Sequence, residues 1–337
     1  MAIEILATGK YIPAHRVTND ELALTVDTND EWIRSHTGIG ARHIAAPEEA
    51  TSDLAYYAAM NALEALSPGH AAEAAQTIDM IVVGTSSPDY YGFPSVACLV
   101  QDRLGIKNAG AFDVVAACTG FVYSIEAAAG MLMAGNRKRA LVIGADALSR
   151  IVDWSQRETC VLFGDAAGAV ILERTDAPSS GPGKRGLIRS VLGSDGSGAE
   201  HLMCAKGGSR SPFKKGETLE ETIHMYMNGR AVYNFAVKAI TDTMQKLLDE
   251  EGITMDDVAR IVPHQANERI IQAAAKRLGI SESKFFMNIE KYANTSNATI
   301  PVALDEFNRS GELKRGDLIM TVGFGAGLTF GGNLIVW

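Results

Sequence analysis

Short apolar segments alternate with amphipathic or alanine-rich segments along the whole chain. Most of the short segments are continuously apolar, a pattern typical of strands that are covered on both faces of a sheet. This pattern predicts strands at Met80–Val83, Ala111–Val115, Ala140–Ile143, Ala169–Leu172, Ile261–Val262, Leu318–Val322 and Leu334–Trp337. It predicts helices between them at Asp53–Leu66, Gly120–Ala134, Ala231–Glu250 and Glu268–Leu278. The alternation is typical of an α/β fold in which helices are layered on sheets.

The order of these elements repeats in the second part of the chain. Thr85 and Gly144, which follow or end predicted strands, are as far apart in sequence as His264 and Gly323. A strand predicted at Phe285–Ile289 is then the counterpart of the second strand of the first part. Each part closes with a glycine-rich turn and a strand, at Gly164–Val170 and Gly325–Gly331. We therefore predict two duplicated α/β halves.

The chain length also favours two units. Its 337 residues exceed the size at which one hydrophobic core usually stops growing. The segment Asp176–Gly186 is rich in proline, glycine and serine and is predicted to be the connection. We therefore predict an N-terminal half at residues 1–175 and a C-terminal half at residues 186–337.

Charge and composition limit the partners and the compartment. The net charge of −9 argues against general nucleic-acid binding, because phosphate contacts need a basic surface. The amino terminus lacks the basic and apolar regions of a signal peptide, and no apolar run reaches the roughly 18 residues of a membrane span. The four cysteines include no CxxC pair and are too scattered for a disulfide framework. We expect a cytoplasmic protein with no nucleic-acid and no membrane partner.

Cys118 is the candidate nucleophile. It lies between a predicted buried strand and the helix that begins near Phe121. A cysteine at such a turn is close to free backbone N–H groups, and these donors and the helix dipole favour the thiolate. Most cysteines are simply buried apolar residues, and we assign that role to Cys98, Cys160 and Cys204.

His264 and Asn294 are the candidate partners of Cys118. His264 follows the strand Ile261–Val262, and Asn294 lies in a polar loop before a helix. Taken alone, each would be a cap, a turn residue or a satisfied polar residue. Equivalent strand ends in two duplicated halves would bring all three residues to one site. No carboxylate base is near, so we expect the Nε2–H of His264 and the amide of Asn294 to stabilise a thioester enolate, as formed when a malonyl thioester loses CO2.

A second oxyanion site is predicted from backbone groups. Ala326 lies in the glycine-rich turn that closes the second half. The backbone N–H groups of Cys118 and Ala326 are expected to bind the oxygen of a tetrahedral adduct on the cysteine.

Six motifs spread over the chain carry a family resemblance: Thr28–Ile33, Asp113–Gly120, Phe163–Asp165, His264–Asn267, Asn294–Ser296 and Gly323–Gly327. Together they resemble β-ketoacyl-acyl-carrier-protein synthase III, the initiating condensing enzyme of bacterial fatty-acid synthesis. The resemblance covers essentially the whole chain. It implies a thiolase-like fold, with mixed sheets in layered α-β-α-β-α packing. It also implies an acyltransferase that condenses an acyl-CoA with malonyl-acyl-carrier protein through an acyl-Cys118 intermediate. Acetyl-CoA is the expected acyl-CoA.

The resemblance implies roles for individual residues. Cys118, His264 and Asn294 match the catalytic triad of the family. Trp32 and Arg157 match residues that sandwich the adenine of coenzyme A. The implied contacts to coenzyme A or the acyl group are those of Thr28, Trp32, Thr37, Arg157, Phe163 and Asn267. No metal and no cofactor is implied, since coenzyme A thioesters are substrates.

The resemblance also implies two protein partners. Phe93 is implied to close the acyl pocket of the partner subunit in a homodimer. Arg269 matches a residue that meets the acidic acyl-carrier protein. Lys276 and Arg277 lie off the apolar stripe of the same predicted helix, so the helix would present a basic edge on an acidic protein.

Some positions depart from the family pattern. His36 stands where an arginine often contacts the nucleotide, and Arg230 stands where an asparagine often contacts pantetheine. Ala326 and Ala293 replace glycines, although a backbone N–H at Ala326 can still serve if its φ and ψ suit alanine. The segment Lys206–Glu221 is longer than usual. None of these departures removes a catalytic group.

Several other functions stay open at this point. A hydroxymethylglutaryl-CoA synthase would need a further catalytic glutamate, for which Glu48 and Glu49 are poor candidates. A biosynthetic thiolase would need a second cysteine near the C-terminus, and none follows Cys204. A specialised polyketide or quinolone synthase fits the same motifs. From other classes, a cysteine acyl-hydrolase would release free acid, and an acyl-binding module would show no covalent labelling of Cys118. The sequence does not fix the acyl chain length.

Overall fold

The computed structural model describes residues 1–181, 183–216 and 224–337. Parts of the segments Asp176–Gly186 and Lys206–Glu221 lie outside the described residues. The strands are β1 (Ala2–Tyr11), β2 (His15–Thr18), β3 (Ala41–Ile44), β4 (Met80–Gly84), β5 (Gly110–Val114), β6 (Arg139–Ala147), β7 (Asp165–Thr175), β8 (Gly186–Ser194), β9 (Leu202–Cys204), β10 (Met225–Met227), β11 (Arg260–Pro263), β12 (Leu318–Gly325) and β13 (Thr329–Val336). The helices are α1 (Asn19–Leu22), α2 (Asp30–Thr37), α3 (Thr51–Leu66), α4 (Ala71–Ala75), α5 (Val96–Arg103), α6 (Gly120–Ala134), α7 (Arg157–Cys160), α8 (Gly229–Glu251), α9 (Glu268–Leu278), α10 (Ile289–Tyr292) and α11 (Thr299–Ser310).

Two mixed sheets have the same strand order and the same strand directions. The first runs β1-β7-β6-β4-β5, and the second runs β8-β13-β12-β11. In both, the first two pairings are antiparallel and the pairing that follows is parallel. In the first sheet, β4 also pairs in parallel with β5. At the equivalent place in the second sheet, Ile261 of β11 forms an isolated parallel bridge with Phe285. The predicted duplication is therefore confirmed.

The strand predicted at Phe285–Ile289 is wrong beyond its first residues. The Phe286 N–H donates to the Ile261 carbonyl at 2.8 Å, but no ladder follows. The side-chain amide of Gln265 takes over instead, donating to the Phe286 carbonyl at 3.2 Å and accepting from the Asn288 N–H at 2.8 Å. The segment then turns into α10. A side chain has replaced the backbone partner that a continued strand would need.

The helices form three layers around the two sheets. One group, with α3 and α5, packs on the outer face of the first sheet, and α8 and α9 pack on the outer face of the second. Helices α6 and α11 lie between the sheets and contact both. The continuously apolar strands β4 and β6 are buried on both faces, as their sequence predicts. The five-layer α-β-α-β-α arrangement is confirmed.

Among the described residues, one segment, Ala117–Ala134, is long and apolar enough by length and composition to cross a membrane, and 50% of it is buried. It coincides with the central helix α6 and the turn before it. A helix covered by sheets on both sides needs apolar residues around most of its circumference and passes the same test.

Candidate active site

A cavity of about 590 Å³ lies where strand ends of the two halves meet. Its walls include Cys118 from the first half and His264 and Asn294 from the second. The structure thus brings the three predicted catalytic residues to one cavity. The wall is mainly apolar elsewhere, as expected for a site that takes an acyl chain.

Cys118 lies in a one-turn 3₁₀ helix, Ala117–Thr119, that leads directly into α6. Ala117 holds the left-handed φ of 45° that this sharp turn requires. The turn is packed against Gly325, where an added Cβ would lie 2.7 Å from the Cys118 nitrogen. A side chain at position 325 would therefore displace the backbone of the nucleophile.

The Cys118 side chain lies on the cavity wall, where its thiolate form loses solvation. Burial raises its pKa to about 12. The Ser296 hydroxyl donates to the Cys118 Sγ at 3.3 Å and lowers the pKa, while the charge of Asp146 raises it. The donors at this turn lower the pKa, as expected, but the loss of solvation outweighs them.

His264 is neutral, and its Nδ1 is anchored by a hydrogen bond. It directly follows β11 and is only 1% exposed. Its Nδ1 lies 2.7 Å from the Thr299 Oγ1, and Phe324 contacts the ring edge-on at 5.1 Å between centroids. Burial lowers the pKa of His264 to about 3, so the ring carries no charge near neutral pH. A neutral ring on the cavity wall can donate from one nitrogen only.

Asn294 is oriented by its own loop. Its Oδ1 accepts the Ser296 N–H at 2.9 Å, which leaves the side-chain NH2 as a donor. The loop is joined to the N-terminal half, since the Asn294 N–H donates to the Leu162 carbonyl at 2.9 Å and Gly164 donates back at 3.1 Å. The orientation supports a donor role for Asn294.

The same loop carries an unusual backbone. Ala293 has φ 60° and ψ −160°, a region that residues other than glycine rarely enter, and Ser296 has φ 52°. Such conformations cost on the order of 1–3 kcal/mol each and persist only when surrounding contacts enforce them. Ala293 is also one of the positions where we expect a glycine from the family pattern.

Buried Asp146 anchors this loop, and sequence reasoning missed it. One carboxylate oxygen accepts from the Ser86 N–H at 2.7 Å and the Ser87 hydroxyl at 2.8 Å. The other accepts from the Asn297 backbone at 3.1 Å and side chain at 2.7 Å. The carboxylate therefore ties the end of β4 to the catalytic loop. An aspartate inside the apolar run of β6 was the available signal.

Ala326 also lies on the cavity wall, in the turn after β12. Positive φ among the described non-glycine residues occurs at Ala117, Ala293 and Ser296, and not at Ala326. Alanine therefore fits this turn without left-handed strain. The proximity of Gly325 to Cys118 supports the predicted pairing of the two backbone N–H groups.

The predicted nucleotide-binding residues line the cavity mouth in a closed arrangement. The guanidinium of Arg157 lies 4.8 Å from the Trp32 ring, and His36 stacks on that ring at 4.4 Å between centroids. An adenine between Trp32 and Arg157 would need about twice the usual stacking distance, so the two groups have to separate before it enters. Both residues and His36 are on the cavity wall.

The other residues predicted to contact coenzyme A differ in how they lie relative to the cavity. Thr37 and Asn267 line the cavity, but the Thr37 hydroxyl donates to Ile33 at 2.6 Å, and Asn267 caps α9 and donates to the His36 carbonyl at 3.0 Å. Thr28 is outside the cavity wall, although its buried hydroxyl has no hydrogen-bond partner in the described structure. Of these three polar groups, the Asn267 side chain is the one that links α9 to α2.

The remaining predicted residues fall into an inner and an outer set. Phe163 is buried on the cavity wall and forms an isolated parallel β-bridge with Asn294. Phe93 is 86% exposed and does not reach this cavity. The exposed basic residues of α9 are Arg269, Lys276 and Arg277, of which Arg277 lies 3.8 Å from Asp242.

Within the described ranges, no group of three or more histidine, cysteine, aspartate or glutamate side chains is arranged to hold a metal ion.

The two duplicated sheets and the shared cavity with its cysteine define a condensing enzyme of the thiolase fold. Two family models match the chain: 3-oxoacyl-[acyl-carrier-protein] synthase III at residues 112–196 and the C-terminal part of the same synthase at residues 248–337. The chain belongs to the 3-oxoacyl-[acyl-carrier-protein] synthase III family, a family of acyltransferases.

Individual relatives agree over the full length. The β-ketoacyl-[acyl-carrier-protein] synthase III of Clostridium acetobutylicum is 47% identical over 338 residues, which cover 100% of this chain and 99% of that protein. The synthase of the same name from Oceanobacillus iheyensis is 47% identical over 337 residues, with 100% and 99% covered. The crystal structure of 3-oxoacyl-[acyl-carrier-protein] synthase III from Aquifex aeolicus is similar with a TM-score of 0.89 and 39% identity, covering 100% of both chains. The resemblance seen in the sequence motifs is confirmed.

Proposed function

We propose that this protein condenses an acyl-CoA, acetyl-CoA above all, with malonyl-acyl-carrier protein to give a 3-oxoacyl-acyl-carrier protein, coenzyme A and CO2. The reaction would initiate fatty-acid synthesis. The observation that carries the proposal is the meeting of Cys118, His264 and Asn294 in one cavity of a chain that belongs to this family. The cycle needs no cofactor, because both thioesters are substrates. We place it in the cytoplasm.

In the first half-reaction, the Cys118 sulfur attacks the acyl thioester carbonyl. The carbon–sulfur bond to coenzyme A breaks, and the thiol proton ends on the departing coenzyme A thiol. Because burial raises the pKa of the Cys118 thiol, the proton would have to leave during the attack. The Ser296 hydroxyl, the Cys118 backbone N–H and the positive end of α6 would stabilise the sulfur as it becomes negative.

In the second half-reaction, the malonyl thioester loses CO2 and the electron pair of the broken bond forms an enolate. His264 and Asn294 donate hydrogen bonds to the enolate oxygen. The enolate carbon attacks the acyl-Cys118 carbonyl, and the backbone N–H groups of Cys118 and Ala326 bind the tetrahedral oxyanion. Its collapse breaks the bond to Cys118 Sγ, forms the 3-oxoacyl product and releases Cys118 as a thiolate, which takes a proton from solvent to return to the thiol. The release of CO2 makes the bond formation effectively irreversible.

We propose that acyl-carrier protein docks on the exposed edge of α9. Arg269, Lys276 and Arg277 are exposed there, and the helix begins beside Asn267 at the cavity mouth. A basic edge on a protein of net charge −9 suits an acidic partner.

We also propose a homodimer built on β5. This strand forms the edge of the first sheet, and Val115, which directly follows it, is 87% exposed. Phe93 and Tyr91 are exposed in the loop that precedes α5. Unpaired edge strands with exposed apolar residues readily pair with another chain. Phe93 would then close the partner's acyl pocket. The boundary between the halves at residues 175 and 186 remains our proposal.

The decisive test separates the two half-reactions in His264→Ala and Asn294→Ala. Loading is followed as acyl transfer to Cys118, and condensation as CO2 release with formation of the 3-oxoacyl product. We expect condensation to fall on the order of 10²–10³-fold, the usual cost of one oxyanion donor, with loading largely kept. A parallel loss of loading would show that His264 instead removes the Cys118 proton and would overturn this mechanism.

A further inference from the structure

The proposed role of His264 depends on where its ring proton sits. A neutral imidazole carries one proton, on Nδ1 or on Nε2. To donate to an enolate in the cavity, the ring needs that proton on the nitrogen not used for anchoring, which is Nε2. The hydrogen bond made by the other nitrogen selects between the two tautomers.

The anchoring partner is the Thr299 hydroxyl, which no motif singled out. Thr299 is the first residue of α11 and is 4% exposed. Its Oγ1 lies 2.7 Å from the His264 Nδ1 and 3.0 Å from the Ser296 carbonyl. The hydroxyl has one proton and therefore donates to one of the two.

The Ser296 carbonyl does not need that proton. It already accepts the backbone N–H of Thr299 in the turn that starts α11. The His264 Nδ1 has the Thr299 hydroxyl as its hydrogen-bond partner in the described part of the chain, at the shorter of the two distances. Donation to Nδ1 therefore satisfies both acceptors, whereas donation to the carbonyl gives it a second donor.

The start of α11 also disfavours a charged ring. The positive end of the helix dipole lies at Thr299, which touches the imidazole. A protonated ring at this end of a twelve-residue helix would meet like partial charge. The helix and the hydroxyl thus act in the same direction, since both keep His264 neutral with a free Nδ1 lone pair.

We propose that Thr299 is a positioning residue whose hydroxyl donates to the His264 Nδ1 and fixes the tautomer that carries its proton on Nε2. This rests on the proposed enolate role of His264. It makes the ring a donor before substrate arrives and unsuited to accept the Cys118 proton. The tautomer itself is a property of the free protein and can be measured without any substrate.

The test combines nitrogen-15 NMR of the histidine rings with the two half-reactions, in wild type, Thr299→Val and Thr299→Ser. We expect the wild-type His264 signal, assigned by its loss in His264→Ala, to show protonated Nε2. Thr299→Val should shift the ring toward Nδ1–H and reduce condensation about 10²-fold while loading of Cys118 stays near wild type. Thr299→Ser should restore both the tautomer and the rate.

Thr243→Val is the matched control, because Thr243 is equally buried, lies on α8 and has an unpartnered hydroxyl. It should leave the ring signal and both half-reactions unchanged. A wild-type ring protonated on Nδ1, or normal condensation by Thr299→Val, would overturn the proposal. If Thr299→Val fails to fold, the wild-type spectrum and Thr299→Ser still decide. A protonated Nε2 in an enzyme that releases no CO2 from malonyl thioester would support the tautomer and refute the proposed function.

Discussion

Cys118 shows how burial and function oppose each other at a single residue. The cavity that will hold an acyl chain removes water from the sulfur, and this raises the pKa of the thiol to about 12. The Ser296 hydroxyl offsets only part of that effect. The raised pKa favours the thiol form, which reacts more slowly than a thiolate with oxidants and alkylating agents at neutral pH.

The alkylation rate of Cys118 by iodoacetamide should keep rising with pH. Its pKa lies above the ordinary value of about 8.5, so the thiolate fraction grows roughly tenfold per pH unit through this range. Stability linked to this thiol should be complete below about pH 8.5 and should decrease as the pH rises toward 12. Peptide mass spectrometry measures the rate at Cys118, with Cys118→Ser as control. A plateau below pH 8 would show an activated thiolate instead.

Ala293 holds a strained backbone beside Asn294. Ala293→Gly should stabilise the protein by about 1 kcal/mol, because relief of strain of order 1–3 kcal/mol exceeds the entropic cost of a glycine of about 0.5–1 kcal/mol. Urea unfolding measures the change. Ala298→Gly is the matched control, since Ala298 has an ordinary helical φ of −81° and should lose stability. Equal losses in both variants would refute the strain at position 293.

At the scale of elements, α9 is defined by its own sequence. Asn267 caps its start, Lys276 and Arg277 lie in its last turn, and Gly279 ends it with a left-handed φ of 67°. Its buried stripe packs on α8, which leaves Arg269 and its neighbours on the exposed edge. The same residues that favour this helix therefore give it a basic edge.

Arg269→Glu should raise the apparent KM for malonyl-acyl-carrier protein and leave loading from acetyl-CoA nearly intact. Contacts of this kind act mainly on the association rate and weaken with salt, as the Debye length falls from about 10 Å at 0.1 M to about 3 Å at 1 M. Wild-type condensation should therefore lose more rate than loading across a salt series. Lys138→Glu is the charge-matched control, because Lys138 is exposed just before β6, away from α9. Equal losses in both half-reactions would remove the docking proposal.

For the whole molecule, we expect a dimer of 35.9 kDa subunits in solution. Val115→Glu should shift it toward monomer, because a charge at the end of the β5 edge opposes pairing. Light scattering at micromolar concentration measures the mass. Leu24→Glu is the matched control, since Leu24 is 84% exposed but lies away from β5. A fully active wild-type monomer would refute the dimer.

Much of this architecture could be predicted from the sequence, because strands buried on both faces leave continuous apolar runs and the two halves repeat their order. The prediction failed at Phe285–Ile289, where Gln265 replaces a backbone partner through contacts distant in sequence. The meeting of Cys118, His264 and Asn294 in one cavity could be predicted from strand ends and motifs. Asp146 and Thr299 could not be assigned, because their roles depend on which loop each one faces after folding. Likewise, no local pattern indicated that burial would outweigh the helix terminus at Cys118.

The central claim is that Cys118 carries the acyl group, and intact-protein mass spectrometry tests it most directly. Wild type incubated with acetyl-CoA should gain one acetyl group, mapped to the Cys118 peptide, and should lose it with CO2 release when malonyl-acyl-carrier protein is added. Cys118→Ser should gain none. An adduct that persists in this variant, or one mapped to Cys98, Cys160 or Cys204, would contradict the claim. Loss of the adduct as free acetate, without condensation, would indicate a hydrolase instead.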